Sequence, residues 1–108
     1  MSEIGKVVFF DQKKGWGFIK VLKSDSEYEG RDIFTHFSSI QCRNTFKKLY
    51  PGEYVSLDVF NDTEEENEDK RLKSTNVTGL FGNDLLIDND TFIYKLIKKR
   101  NMNNDNDN

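Results

Sequence analysis

The sequence has no alanine and only one cysteine, one histidine and one proline among its 108 residues. Alanine has the highest helix propensity, so its absence disfavours a bundle of helices. The single cysteine, Cys42, excludes a disulfide within the chain and is typical of a reducing compartment. One histidine and one cysteine also provide no zinc site of the usual ligand spacing. We therefore predict a protein without a metal or other cofactor.

Long apolar runs are missing as well. The N-terminal residues MSEIGKVVFF lack the apolar core of a signal peptide, and no later run is long enough to cross a membrane. We therefore predict a cytoplasmic protein that does not bind membranes. Carboxylates are plentiful, but the sequence has no Ser/His/Asp arrangement and no phosphate-binding loop, so an enzyme is the least favoured class.

Acidic and basic residues are unevenly distributed. The net charge of −3 argues against binding that depends mainly on neutralising phosphates. Residues 61–69 contain six acidic residues and no basic one, whereas residues 70–100 contain seven basic and three acidic residues. The charge of the whole chain therefore says little about any one of its faces.

Five short segments with high β-propensity follow one another without an intervening helix, at residues 4–11, 14–21, 32–37, 53–60 and 71–79. Only Gln12 and Lys13 separate the first two segments, which predicts a hairpin. Pro51 and Gly52 have the positions that a type II turn prefers. The pattern predicts an all-β domain over residues 1–79, either a small barrel or a sandwich.

The pattern changes after Gly79. Residues 80–100 are predicted to form an extension that contains a short amphipathic helix over 91–100, with capping residues before it and basic residues at its end. A strand remains the alternative for the same residues. The final residues 101–108, NMNNDNDN, have low complexity and are predicted to be disordered.

Aromatic side chains recur on one face of two neighbouring strands. Side chains alternate along a strand, so KGWGFIK at residues 14–20 has two rings and two lysines on one face and Gly17 and Ile19 on the other. The opposite face begins a barrel interior from Ile19, Val21, Ile33, Val55 and Leu57. The remaining side chains are candidates for a common outer surface: Trp16, Phe18, Phe34 and His36.

Such a surface predicts a ligand that stacks on rings. Exposed apolar area is unfavourable by roughly 25 cal/mol per Å2, so a patch of rings usually has a partner. An unpaired base stacks on an aromatic ring for roughly 1–3 kcal/mol, and a neighbouring lysine suits its phosphate. The rings could instead form the core, with Ile19 and Ile33 facing outward, but we disfavour this arrangement. We favour binding of single-stranded RNA or DNA.

The order of these motifs resembles the cold-shock domain. KGWGFI followed by DIFTHFSSI resembles its paired RNP1 and RNP2 motifs, and further similar segments extend over about residues 4–79. In RRM domains the companion motif precedes RNP1 across a helix, and here it follows. The resemblance implies a five-stranded, antiparallel OB-type barrel. It also implies binding of single-stranded, pyrimidine-rich RNA or DNA by a nucleic-acid chaperone or a regulator of transcription or translation.

The resemblance also implies individual roles. The residues that are implied to stack on bases are Phe9, Trp16, Phe18, Phe34, His36, Phe37 and Phe46. The residues that are implied to lie near the nucleic-acid backbone are Lys6, Lys14 and Lys20. Phe37 follows from the resemblance alone, because simple alternation points it inward and a bulge would have to turn it outward. The family usually has Lys-Trp-Phe where this chain has Val8, Phe9 and Phe10, so one charge is lost.

A second hypothesis is a protein-interaction module on the same barrel. The acidic residues 61–69 and the segment 91–100 would then engage a partner protein, and the chain would be a monomer or a weak dimer. The acidic loop is otherwise a solubilising linker, or a selector that disfavours duplexes.

Overall fold

The structure, a computed structural model, describes residues 2–99. Five strands form a closed barrel, namely β1 (Glu3–Asp11), β2 (Trp16–Val21), β3 (Asp32–His36), β4 (Tyr54–Asn61) and β5 (Leu72–Gly79). Their order around the barrel is β1-β2-β3-β5-β4. The regular helical structure in residues 2–99 consists of four single 3-10 turns, at Phe37–Ser39, Glu68–Lys70, Leu80–Gly82 and Leu86–Asp88. The prediction of an all-β, five-stranded barrel is confirmed.

One pairing of the barrel is parallel. β1 pairs with β2 and β4, β2 with β3, and β4 with β5, all antiparallel, whereas β3 and β5 run parallel. Strand directions cannot alternate around a ring with an odd number of strands, so a closed barrel of five needs at least one parallel pair. Four of the five pairings are therefore antiparallel, as predicted, and the β3–β5 pairing is the parallel one that closure of the ring requires.

The barrel interior contains the residues expected there. Each of the five predicted interior side chains is at most 1% exposed, and Phe10 is also buried. A small polar seam lies beside this core where β3 meets β5. The Ser74 hydroxyl donates a hydrogen bond to Thr35 Oγ1 (3.0 Å), and Ser39 Oγ donates to the Ser74 carbonyl (2.8 Å). These bonds satisfy buried hydroxyls and support the parallel seam.

Residues 80–90 pack against the barrel. Leu85 is 3% exposed and belongs to the hydrophobic core. The Glu53 carboxylate accepts hydrogen bonds from the amides of Tyr50 (3.1 Å) and Leu86 (2.6 Å). The Asp88 carboxylate accepts two more from the amides of Arg43 and Asn44. The first half of the extension is therefore held by both apolar and polar contacts.

The helix predicted over 91–100 is not formed by residues 91–99, which have no regular secondary structure. A helix this short is stable only when its apolar face is buried, and here Ile93 is 95% and Ile97 78% exposed. The segment is held instead by a hydrogen bond from the Tyr50 hydroxyl to the Tyr94 carbonyl (2.8 Å). Arg100 and the predicted disordered tail 101–108 lie outside the described residues.

Candidate nucleic-acid interface

Four aromatic rings lie together on the outside of β1, β2 and β3. Phe18 pairs directly with Phe34 across the two strands. The ring centroids are 5.8 Å apart for Phe18–Phe34 and Trp16–Phe34, and 5.9 Å apart for Trp16–Phe18 and Phe9–Trp16. We call these four residues the ring cluster. The predicted common face of Trp16, Phe18 and Phe34 is therefore present.

A bulge in β1 brings Phe9 to the ring cluster. The register of β1 against β2 shifts between Val7 and Phe9, so Val8 and Phe9 are both about half exposed while Phe10 is buried. A bulge inserts one residue and so places two consecutive side chains on the same side of the sheet.

Two glycines, Gly17 in β2 and Gly15 in the turn before it, allow β1 and the Phe37 ring to approach β2 closely. A Cβ at Gly17 would clash with the Phe9 carbonyl oxygen and the Phe10 Cα, so only glycine fits between the strands here. Gly15 has φ +79°, and a Cβ there would strike the Phe37 ring. The glycines of KGWGFIK therefore face β1 and Phe37, while the rings of Trp16 and Phe18 lie on the outer face of β2.

His36 and Phe37 form a second aromatic pair beside the ring cluster, with centroids 4.4 Å apart. His36 lies opposite Trp16 in the register of β2 and β3, and its Nδ1 accepts a hydrogen bond from the Ser38 amide (3.2 Å). Phe37 is exposed because β3 ends at His36 and a 3-10 turn begins. The alternation that would point Phe37 inward therefore does not reach it, and no bulge is needed.

Among the described residues, none of the three predicted lysines makes a cation–π contact with a ring of the cluster. Lys6 is placed over Tyr54, with its Nζ 5.6 Å from the ring centroid. The Nζ of Lys20 is 3.8 Å from Asp32 Oδ1. Lys14 is in the β1–β2 hairpin, where its amide donates to Asp11 Oδ1. Within residues 2–99, the ammonium groups over the ring cluster belong to two other lysines.

Lys70 and Lys73 provide those ammonium groups. Lys70 Nζ is 5.3 Å from the centroids of both Trp16 and Phe34, and Lys73 Nζ is 6.0 Å from Phe34. These are cation–π distances. Sequence reasoning missed both residues. The signal for Lys73 is its register with Phe34, which depends on the parallel pairing of β3 with β5.

The acidic loop 61–69 borders the ring cluster. Lys73 Nζ is bonded to Asp62 Oδ2 (2.8 Å) and Glu65 Oε1 (3.0 Å). The Lys73 ammonium lowers the pKa of both carboxyl groups, and the two carboxylates raise the pKa of Lys73. Glu68 and Asp69 line a depression next to Phe18. The loop is therefore folded against the edge of the ring cluster, where its carboxylates disfavour a dense phosphate backbone.

Phe46 lies outside the ring cluster. Its exposed ring is on the 41–53 connection, with Lys48 Nζ 5.6 Å from its centroid. Another exposed ring, Phe60, was not predicted. It is paired with Lys73 across β4 and β5 and lines a depression together with Phe34 and His36. The sequence signal that could have identified Phe60 is alternation along β4, which places it on the face opposite the buried Val55 and Leu57.

Cys42 is partly buried and packs against the hydrophobic core. Burial raises the pKa of the Cys42 thiol, which makes the nucleophilic thiolate scarcer at neutral pH. Within residues 2–99, no group of three or more His, Cys, Asp or Glu residues is placed to hold a metal ion. The same residues include no helix that is long and apolar enough to cross a membrane.

Comparison with known proteins gives a consistent result. A family model described as 'Cold-shock' DNA-binding domain matches residues 3–80. A cold shock-like protein of Aquifex aeolicus is 38% identical over 79 residues, which cover 73% of this chain and 99% of that protein. A major cold shock protein of Streptococcus pyogenes is 46% identical over 55 residues, 51% of this chain and 72% of that protein. The chain, with its closed five-stranded barrel and outward ring cluster, belongs to the cold-shock domain family.

Proposed function

We propose that this protein binds single-stranded RNA or DNA by stacking unpaired bases on the ring cluster. The observation that carries the proposal is the row of neighbouring rings on the outer face of β1–β3, with centroids 5.8–5.9 Å apart and a lysine above two of them. Each ring offers roughly 1–3 kcal/mol of stacking per base, so three bases supply about 3–9 kcal/mol, and the upper end of this range corresponds to about micromolar affinity.

Stacking also accounts for an acidic protein that binds a polyanion. Lys73 is already bonded to Asp62 and Glu65, and Lys20 is close to Asp32. Few ammonium groups on this face are therefore available to neutralise phosphates. The affinity should fall only shallowly with salt, because each neutralised phosphate of a single strand contributes about −0.7 to the slope of log K against log salt.

The test is a titration of Trp16 fluorescence. Trp16 is the only tryptophan and belongs to the ring cluster, so an oligo-U or oligo-T should quench it directly. We expect saturable quenching at micromolar concentration or below, with a shallow salt slope. A folded protein whose emission does not change with either oligonucleotide would contradict the proposal.

The cellular role that we propose is that of a nucleic-acid chaperone or a regulator that acts on transcripts. Stacking on a sequence-tolerant surface stabilises unpaired strands and so melts weak hairpins. A fluorophore–quencher RNA hairpin of low stability should open when the protein is added. If the protein binds oligo-U but never opens the hairpin, the chaperone role fails and the binding proposal stands.

A second candidate function is engagement of a basic partner protein by the acidic loop. Glu64, Glu66, Glu68 and Asp69 are all exposed. This candidate predicts a normally folded protein that binds its partner while Trp16 does not respond to oligonucleotides. Neutralising the four carboxylates would then abolish partner binding.

A further inference from the structure

A groove outside the ring cluster lies between the 41–53 connection and the C-terminal extension. It has a volume of about 720 Å3 and is lined on one side by Phe46, Lys48 and Tyr50 and on the other by Phe92, Tyr94 and Lys95. We call it the C-terminal groove. Half of its lining comes from residues beyond the match to the family, which ends at residue 80.

The walls of the C-terminal groove carry the same chemistry as the ring cluster. Lys48 Nζ is 4.8 Å from the centroid of Tyr50 and 5.6 Å from that of Phe46. Tyr94 packs edge-on to Tyr50, with centroids 6.1 Å apart. Phe46 and Phe92 remain 52% and 64% exposed, so their faces are open to a planar ligand.

The charge of the C-terminal groove favours a polyanion. Its lining residues, all within the described part of the chain, include Lys48 and Lys95 and no Asp or Glu. The depression beside Phe18 is different, because three acidic residues, Asp32, Glu68 and Asp69, line it together with a single basic one, Arg31. A strand with phosphates would thus meet carboxylates at one side of the ring cluster and lysines at the C-terminal groove.

The C-terminal groove and the ring cluster both border the β1–β2 hairpin. Lys48 Nζ donates a hydrogen bond to Gln12 Oε1 (2.9 Å), and Gln12 also lines the groove. Gln12 follows Asp11, which pairs with Trp16 across the two strands. A strand stacked on Trp16 that continued across this hairpin would enter the C-terminal groove.

We propose that the C-terminal groove is a second base-binding subsite that takes nucleotides of the same single strand as it leaves the ring cluster. Tyr94 and Phe92 are the added stacking residues, and Lys95 is the added phosphate contact. The proposal rests on the function proposed above and extends it to residues outside the family match. An OB fold covers roughly 4–16 nucleotides, so an added subsite shows as a dependence on strand length.

The experiment compares the full chain with Tyr94→Ala on oligo-T of about six and about twelve nucleotides, read by Trp16 quenching. Loss of one stacked base weakens binding by about ten-fold, and this loss is expected for the longer strand only. Ile97→Ala is the matched control, because Ile97 is an exposed apolar residue of the same segment that does not line the groove. It should leave binding of both strands unchanged.

Tyr94→Ala is compatible with folding because Tyr50 donates its hydrogen bond to the Tyr94 carbonyl, which the substitution retains. An unchanged thermal transition verifies this. Should the transition change, Lys95→Gln provides the second test, with Lys98→Gln as its control. Lys95→Gln should reduce the salt slope for the longer strand by about 0.7, as expected for one lost phosphate contact, and Lys98→Gln should not.

The outcomes separate the two proposals. If Trp16 does not respond to either strand, the proposed function fails and the subsite fails with it. If Trp16 responds but Tyr94→Ala and Lys95→Gln bind the longer strand like the unchanged protein, the subsite alone is wrong. Self-association of the unchanged chain that Tyr94→Ala abolishes would show that a second copy occupies the groove, and this result also overturns the subsite.

Discussion

Phe34 contacts more of the proposed site than any of its neighbours on β3. Its ring lies 5.8 Å from both Trp16 and Phe18, and Lys70 and Lys73 are placed over it. The three rings come from β2 and β3, and the two ammonium groups come from β5 and from the loop before it. A base that stacks there would therefore depend on side chains whose positions are fixed by pairing of β2 with β3 and of β3 with β5.

Phe34→Ala and Phe18→Ala should each weaken oligo-T binding by about ten-fold or more, because each removes a stacking surface worth roughly 1–3 kcal/mol. Trp16 quenching measures the affinity. Phe81→Ala is the control, since Phe81 is 86% exposed and lies in the 3-10 turn after β5. Equal affinities for all three variants would show that the ring cluster does not carry the binding.

Among the elements of the fold, the acidic loop 61–69 matters for binding because it holds Lys73 in two ion pairs. The pKa values of Asp62 and Glu65 lie below their ordinary range because Lys73 donates hydrogen bonds to them. These bonds therefore contribute to the free energy of unfolding at pH values above the ordinary carboxyl pKa. The contribution is lost as the pH falls through the lowered pKa values of Asp62 and Glu65. At neutral pH, both carboxylates are ionised and keep the Lys73 ammonium from a phosphate.

Replacing both partners, in the Asp62→Asn/Glu65→Gln variant, should release Lys73 and steepen the salt slope of oligo-T binding by about 0.7. The Glu64→Gln/Glu66→Gln variant removes the same charge from exposed positions of the same loop, outside the Lys73 ion pairs. A slope that steepens equally in both variants would mean that the total charge of the loop matters and its hold on Lys73 does not.

Glu53 fastens the extension to β4 and should make stability depend on pH. Burial raises the pKa of its carboxyl group, although the amides of Leu86 and Tyr50 counteract part of the effect. The folded protein therefore binds this proton more tightly than the unfolded chain does. The contribution of Glu53 to the free energy of unfolding is highest below the ordinary glutamate pKa and falls as the pH rises through the raised value.

Urea unfolding of the unchanged protein and of Glu53→Gln, over about pH 4–7, checks this prediction. The free energy of unfolding of the unchanged protein should decrease with pH relative to that of the variant. A difference that stays constant over the whole interval would show that Glu53 titrates alike in both states.

The whole molecule includes part of the extension in its core. Removal of residues 80–108 should lower the free energy of unfolding by at least roughly 2–5 kcal/mol, because the loss of Leu85 alone leaves a cavity of leucine size. Removal of residues 91–108 should change it by only about 1 kcal/mol, since the hydrogen bond between Tyr50 and Tyr94 is the one that joins the described residues 91–99 to the barrel. Denaturant unfolding of both truncated chains measures the two effects, and equal losses would contradict this division.

Size-exclusion chromatography of the chain truncated after residue 90 also tests the oligomeric state. A monomer or weak dimer, a cytoplasmic location and a preference for pyrimidines remain predictions.

The strands, the barrel interior and the shared face of Trp16, Phe18 and Phe34 were determined by the sequence itself. Alternation along a strand assigns each side chain to one face, and the glycines of KGWGFIK identify the face that meets other backbone. Phe9 was predicted only through resemblance to a family, because the bulge that exposes it has no local signature in VVFFD.

Only the tertiary structure decided where Lys70, Lys73 and the acidic loop lie relative to the rings, and how residues 85–96 meet the barrel. Each of these contacts joins segments that are far apart in the chain, such as Phe34 with Lys70 or Tyr50 with Tyr94. Their distances follow from closure of the barrel through the parallel β3–β5 seam and from the hydrogen bonds of Glu53 and Asp88. A periodic pattern determines which face a side chain occupies, and it contains no information about which distant segment will cover that face.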